Sequence, residues 1–421
     1  MSQVQDRMRT VHRVTLASGL RVVIEPDHRH DLVAVALTAG SGSRDDPPHA
    51  RGLAHLVEHL MFPREQDGLA GHLHTVEAAG GLCDANTFRD HTSYFSVADA
   101  DSLEPLLNAE AARLVRFAPD QRALDGELPV IEEEIRGAMF ASHGGFPWTA
   151  AASALWGPDC HTGGDHGIMT HLRAVTPAEA TAFHRAHYTA GNLVLSIVGA
   201  VDPVRAEATA RAAFGEFTPG DRPPRPPLIA RQGVRAVHTA KHFRGTALAI
   251  ATPLPDAADP AGYIAHAVLA EVLSAARLPR WRECQSRLRS ATIRCGFNGE
   301  WFNTASPDLL VTTLLRERDW PAREVIAEWS GLLGELSSVG PGKGELQRAI
   351  ALLLLGHHRQ LDSLVTRAVA HGRFAVLFPS LDGPHQIPRL LSATTARQVA
   401  DAAATVRTAP AAWVELIGGA R

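Results

Sequence analysis

The sequence predicts an α+β protein built from two related domains. Segments rich in β-branched and aromatic residues alternate with segments of helical periodicity along the chain. The order of these segments is similar in the two halves, which indicates two copies of one kind of domain. A proline-rich stretch at 218–227 separates the halves and favours an extended spacer. We therefore predict an N-terminal domain at 1–217, a linker at 218–232 and a C-terminal domain at 233–421.

The composition is that of a globular protein and argues against several functional classes. The 421 residues exceed one ordinary core, and 45% of them are hydrophobic and 20% charged. The net charge of −4 gives no basis for binding nucleic acid or an anionic membrane. The polar N-terminus does not resemble a signal peptide, and no apolar run is long enough to span a bilayer. The four cysteines form no C-x-x-C pair, so we expect reduced thiols and a cytoplasmic protein.

The first half contains the segments that one α+β domain needs. Two strands are predicted within 11–26, around a turn at 17–19, and a third at 31–39. A loop rich in Gly, Ser, Asp and Pro then leads to a helix that includes residues 52–62. The remaining segments are a helix at 70–79, strands within 83–97, helices at 102–117, 124–140 and 177–184, a strand at 192–199 and a helix at 203–214.

The second half repeats this order coarsely. Its predicted segments are a strand at 247–251, a helix at 260–274, a strand at 309–315, a helix at 323–336, one long helical tract at 345–378, a helix at 394–406 and a strand at 413–417.

The most informative segment is the predicted helix around His55-Leu56-Val57-Glu58-His59. H-x-x-E-H is the inverted form of the zinc motif H-E-x-x-H. On a helix, His55 and His59 project from one face, where their ring nitrogens can bind one zinc ion. Glu58 lies beside them and can accept a proton from a water on that metal. A chain with 22 histidines can also carry this pattern as ordinary surface residues, and the motif does not supply a third ligand.

A second informative segment is the acidic helix predicted at 124–140. Glu127 and Glu134 are seven residues apart and therefore share one face of that helix, two turns along. The plain alternative is a solvated acidic helix without any role in a site.

Together these segments resemble the pitrilysin–insulinase–mitochondrial processing peptidase family of zinc metallopeptidases. Residues 52–62 are similar to the family's G-x-x-H-x-x-E-H-x-x-F, and 80–94 to its G-G-x-x-N-A-x-T-x-x-D-x-T-x-Y region. Residues 127–134 match its distal helix, E-x-x-V-x-x-x-E, and 167–202 resemble the segment that closes its first domain. The resemblance covers most of residues 12–205.

The resemblance implies a zinc endopeptidase with one Zn²⁺ per chain. It assigns the metal to His55, His59 and Glu134, which lies 75 residues after His59. Glu58 is then the catalytic base, and Glu127 supports the site without binding metal. The family's substrate strand corresponds to Asp84-Ala85-Asn86-Thr87, where it extends the sheet by one peptide strand. Asp84 replaces the family's Asn, and an ionised carboxylate cannot donate the hydrogen bonds of that amide.

The resemblance also implies a fold and a partner. Each domain is expected to be a mostly antiparallel sheet with helices on one face, and the two domains to form half of a clamshell chamber. The family's second half supplies an Arg and a Tyr that bind substrate; here Arg289 can stand for the Arg, but no tyrosine follows it. We therefore expect a heterodimer whose second chain supplies the pair, or else a homodimer in which Arg289 or Arg294 suffices. A catalytically silent subunit and a peptide-binding module are the alternative functions.

Overall fold

A computed structural model of the chain describes residues 10–62, 71–141, 145–157, 166–215, 217, 219–225, 228–240, 243–305 and 307–418, without the side chains of 139–141. Its strands are β1 His12–Thr15, β2 Arg21–Pro26, β3 Leu32–Ala39, β4 Leu82–Thr87, β5 Thr92–Asp99, β6 Leu193–Gly199, β7 Val234–Ala240, β8 Thr246–Pro253, β9 Leu288–Cys295, β10 Leu309–Arg316 and β11 Ala412–Gly418.

The helices alternate with these strands. They are α1 Leu53–Leu60, α2 His72–Ala78, α3 Leu103–Val115, α4 Gln121–Ala141, α5 Trp148–Trp156, α6 Met169–Leu172, α7 Pro177–His187, α8 Pro203–Phe214, α9 Pro260–Val272, α10 Leu278–Cys284, α11 Ala322–Val339, α12 Lys343–Gln360, α13 Leu364–Leu377, α14 Ile387–Ala393 and α15 Ala396–Thr408. No helix in the described part of the chain combines the length and the apolar character needed to cross a membrane.

The first compact unit is built on a six-stranded sheet in the order β1-β2-β6-β3-β5-β4. All neighbours are antiparallel except β2 and β6. The unit comprises residues up to Leu128, Thr170–Pro224 and Gln360–Pro379, so the division falls within the continuous helix α4. Helices α1, α2, α3 and α8 contact strands of this sheet.

The second compact unit is built on a five-stranded sheet in the order β7-β11-β8-β10-β9. Its neighbours are antiparallel except β7 and β11. Strand order and direction therefore repeat those of β2-β6-β3-β5-β4 in the first unit. This repetition confirms the prediction of two related α+β domains with mostly antiparallel sheets.

A helix from the opposite half of the sequence also packs on each sheet. Helix α13 packs Leu364 and Ala368 on β3 and β6 in the first unit. Helix α5 packs on the second sheet, where Ala151 and Leu155 belong to one apolar cluster with β8, β10 and β11. These two helices are thus exchanged between the halves of the sequence, and the boundaries 1–217 and 233–421 stay a prediction.

The predicted helical tract at 345–378 is wrong as a single element. It is two helices, α12 and α13, separated at 361–363, and they belong mainly to different units. The Ser363 hydroxyl accepts a hydrogen bond from the Thr366 amide and so starts a new helix. The sequence patterns do not predict strands β7 and β9, because β7 follows the linker directly and β9 carries exposed polar residues such as Arg289.

Buried ion pairs hold α13 on the first sheet. The imidazole Nε2 of His371 lies 2.6 Å from a carboxylate oxygen of Glu25, and Arg367 forms an ion pair with Asp27. All four side chains are buried. Burying charges is costly unless they are paired, so these groups favour one docked position of the helix.

We expect Gly372→Ala to destabilise the first unit by about 1–3 kcal/mol, the usual cost of overpacking. A Cβ at Gly372 would lie 2.3 Å from the Thr38 hydroxyl oxygen and 2.9 Å from the Thr38 Cβ, on the buried face of β3. Gly331→Ala in α11 is the matched control, since its Cβ would meet nothing within 4 Å. Denaturant unfolding should show a loss for Gly372→Ala and a small gain for Gly331→Ala; equal effects would contradict the close packing.

Candidate metal centre

Helix α1 carries the H-x-x-E-H motif and is buried on most of its surface. It begins after Gly52, whose φ of 101° is a left-handed conformation that suits glycine. Leu53, Leu56 and Val57 are at most 2% exposed and fix the helix in the core of the first unit. The motif side chains therefore have little freedom to reorient.

The two motif histidines are oriented toward a common point. The Nε2 atoms of His55 and His59 are 3.2 Å apart, and their rings are nearly perpendicular at 86°. A tetrahedral zinc ion at about 2.0–2.1 Å from each nitrogen would hold the two atoms at about this separation. The arrangement fits a shared cation better than it fits two independent surface histidines.

Glu127 on α4 determines the orientation of the second histidine. One of its carboxylate oxygens lies 3.2 Å from Nδ1 of His59. Because an ionised carboxylate can only accept, Nδ1 carries the proton and the Nε2 lone pair is left for a metal. The glutamate predicted to support the site without binding metal is thus in contact with a candidate ligand.

Glu134 lies two turns further along α4. His55, His59 and Glu134 each offer one ligand atom, and these atoms lie within 4.8 Å of one another. His55 is buried, His59 partly buried and Glu134 exposed, so the group is reachable from solvent. Ile131, between the two glutamates, is fully buried and anchors the helix, and Val130 is 44% exposed. Two nitrogens and one oxygen leave a fourth position for water or substrate.

Glu58 lies on the buried side of the motif, with 8% exposure. Two buried tyrosines are close to it: the hydroxyl oxygens of Tyr94 and Tyr188 are 2.7 Å apart. Burial raises the pKa of both phenols, and the negative charge of the Glu58 carboxylate acts in the same direction. No local pattern predicts this pairing, because residue 94 on β5 and residue 188 after α7 meet only in the folded chain.

The predicted substrate segment is the edge strand β4. Asp84 and Asn86 are exposed, Ala85 is buried and Thr87 is half-buried. The Phe88 amide donates to the His91 carbonyl, so these two residues form a hydrogen-bonded pair. Hydrogen-bonded and non-hydrogen-bonded pairs alternate along antiparallel strands, which makes Ala85 and Tyr94 a non-hydrogen-bonded pair. The Ala85 amide therefore points away from β5, to the open edge of the sheet. There it donates to its neighbour Asp84 at 2.8 Å. The Asp84 carboxylate, which replaces the family's Asn, thus accepts from the Ala85 amide. A docking peptide would need that amide as a hydrogen-bond donor.

His184 is a buried imidazole that should make the protein sensitive to acid. Its ring stacks between Phe117 and Tyr188, at centroid distances of 4.2 and 4.6 Å. Burial lowers the pKa of His184 to about 4 from 6.5, and Arg185 adds to the effect. A lowered pKa means that the stabilising contribution is present above pH 6.5 and is lost as the pH falls through 4.

We therefore expect the parent protein to lose roughly 2–4 kcal/mol of unfolding free energy through this group between pH 6.5 and 4. His184→Phe keeps an aromatic ring in the stack but cannot take up a proton. Denaturant titrations of the metal-free proteins across this range should show the parent losing stability relative to the variant. Parallel pH curves would contradict the assignment.

Comparison with protein families identifies the class to which this fold and site belong. The model described as Insulinase (Peptidase family M16) matches residues 21–139, which include all three candidate ligands and Glu58. The model described as Peptidase M16 inactive domain matches residues 174–291. The chain therefore belongs to the M16 peptidase family.

Several relatives of the chain are named as zinc proteases. An uncharacterized zinc protease of Streptomyces coelicolor is 30% identical over 234 residues, covering 55% of this chain and 50% of that protein. Coenzyme PQQ synthesis protein F of Pseudomonas putida is 30% identical over 236 residues, covering 52% of this chain and 30% of that protein. The chain spans half or less of the length of the relatives it matches.

Solved structures agree with the fold over nearly the whole chain. A protease from Helicobacter pylori superposes with a TM-score of 0.81 at 19% identity, over 97% of this chain and 100% of that chain. A chain of complex III from Candida albicans gives a TM-score of 0.80 at 13% identity, over 97% and 96%. At such identities the likeness establishes the fold alone.

Proposed function

We propose that the protein is a zinc-dependent endopeptidase that cleaves short or unfolded peptides. The observation that carries the proposal is the convergence of His55, His59 and Glu134 beside Glu58, in a member of a peptidase family. These three residues would hold Zn²⁺, and the ion would polarise the scissile carbonyl and acidify a water.

The chain's own residues divide the remaining work. Glu58 takes the proton of the attacking water and delivers it to the leaving amine, as a buried carboxylate next to His59 can. Glu127 keeps His59 in the tautomer that ligates through Nε2. The open edge of β4 binds the substrate backbone as an added strand. Asp84 must release the Ala85 amide when that strand forms.

The test is turnover of a mixed peptide library with zinc present and after removal of the metal by a chelator. We expect cleavage that the chelator abolishes and added zinc restores. Binding of peptides without turnover would favour the peptide-binding module. No binding and no turnover, in every subunit combination, would favour the silent subunit.

We expect Glu127→Ala to lower zinc affinity or activity roughly 10–100-fold, the usual effect of losing a group that orients a metal ligand. Asp125→Ala is the matched control on the same helix, because Asp125 is exposed and accepts only from Gln121 among the contacts described. Metal competition and peptide cleavage measure both variants. A Glu127→Ala protein equal to the parent in both assays would support the solvated-helix interpretation.

We also propose that the active protein is a heterodimer. All three tyrosines of the chain, Tyr94, Tyr188 and Tyr263, are at most 3% exposed, so none can contact a substrate. Arg289 lies on β9 in an ion pair with Glu317. A second chain of similar length without H-x-x-E-H could supply the missing pair. A homodimer that uses Arg289 or Arg294 is the alternative.

Purified alone, the chain should bind zinc and cleave peptides poorly, and a related chain that co-purifies from native extract should restore cleavage. Full activity of the single polypeptide would rule the heterodimer out.

We place the complex in the cytoplasm, since Cys83, Cys284 and Cys295 form no disulfide within the described residues; Cys160 lies outside them.

A further inference from the structure

A buried carboxylate outside the motif holds the start of helix α1. Asp46 is 6% exposed. One of its oxygens accepts from the Gly52 amide at 2.6 Å, and the other from the Ala54 amide at 2.8 Å. Gly52 occupies the N-cap position and has no side chain with which to cap the helix. Asp46 therefore satisfies two donors that would otherwise be orphaned at the helix start.

The position of this cap links it to the candidate metal ligands. Ala54 immediately precedes His55, which lies in the first turn of α1. The N-terminus of a helix carries about half a positive charge, which opposes a cation bound in the first turn. A negative group at this end counters that opposition as well as fixing the backbone that carries His55.

We propose that Asp46 is a positioning residue of the metal centre, which fixes the first turn of α1 for His55 and compensates the positive helix end when a divalent cation binds. This inference rests on the zinc site of the proposed function. The added residue is Asp46, whose described hydrogen bonds go to the Gly52 and Ala54 amides and not to the candidate metal ligands.

The local charges determine the conditions of a test. Burial raises the pKa of Asp46 to about 7, while its two amide donors and the nearby Arg51 guanidinium act in the opposite direction and Asp45 adds to the rise. Arg51 also donates to the Asp46 carbonyl at 3.1 Å, which holds the segment between them. Metal titrations are therefore done at pH 8, where the Asp46 carboxyl is mostly ionised.

The experiment compares Asp46→Asn and Asp46→Ala with Asp202→Ala. Asp202 caps α8 in the same unit by accepting from the Arg205 amide at 2.9 Å, so its loss removes an N-cap remote from the motif in sequence. Zinc affinity is measured by competition with a chelating dye, and the ligand geometry by the absorption spectrum of the Co²⁺-loaded proteins. Denaturant unfolding of the metal-free proteins reports stability separately.

We expect Asp46→Asn to raise the zinc dissociation constant about tenfold and to alter the Co²⁺ spectrum, and Asp46→Ala to do so more strongly. Asp202→Ala should lose stability with parental zinc affinity and spectrum. If Asp46→Ala fails to fold, Asp46→Asn decides, because its amide keeps one acceptor oxygen. If the parent binds zinc and the Asp46 variants bind it with equal affinity, this inference alone is overturned. A parent that binds no zinc overturns the proposed function together with it.

Discussion

Glu58→Gln should abolish peptide hydrolysis while leaving zinc bound. The amide keeps the size of the side chain and removes only its ability to accept a proton. General-base catalysis contributes typically 10²–10⁴-fold, so we expect a loss of that order in kcat. Zinc content and affinity should stay at parental values, because His55, His59 and Glu134 are unchanged.

The matched control is Glu77→Gln, the same change at an exposed glutamate on α2. It should leave both hydrolysis and zinc binding unaltered. Peptide cleavage is measured with the partner chain present, if one is required. Retained hydrolysis in Glu58→Gln protein would refute the assignment of the base, and lost zinc would show that Glu58 contributes to metal binding.

Glu134→Gln should weaken zinc binding by more than the roughly 10–100-fold that is typical of losing a supporting group. The change replaces the only carboxylate among the three candidate ligands by a neutral amide, which is a poorer ligand for Zn²⁺. Hydrolysis should fall in parallel and recover partly at high zinc concentration, since the base Glu58 is intact. Equilibrium metal competition measures the affinity.

Glu133→Gln provides the control at the neighbouring position. Glu133 is exposed and forms an ion pair with Arg136 one turn along the helix. Adjacent residues on a helix point about 100° apart, so this carboxylate lies on a different side from Glu134. Parental affinity in Glu134→Gln combined with a loss in Glu133→Gln would mean that the register of the third ligand is wrong by one residue.

Much of this protein was predictable from local patterns. The spacing of His55 and His59 on a helix, and the α+β order of the two halves, follow from short-range periodicity that the backbone imposes on every sequence. Local patterns do not identify Glu134 as the third candidate ligand, because its neighbours Glu132 and Glu133 carry the same side chain. The family resemblance was needed to choose among the three. The domain boundaries and the dimeric partner stay predictions.

The tertiary structure decided what depends on residues far apart in the chain. The pairing of Tyr94 with Tyr188, the contact of Glu127 with His59, and the cap that Asp46 provides to α1 have no local signature. The docking of α13 on the first sheet and of α5 on the second is likewise absent from any segment pattern. The physical reason is that periodicity determines which face of an element is apolar but not which partner covers it. By itself the sequence determined the elements and the motif that can bind a metal; packing between distant segments determined which buried groups hold that motif in place.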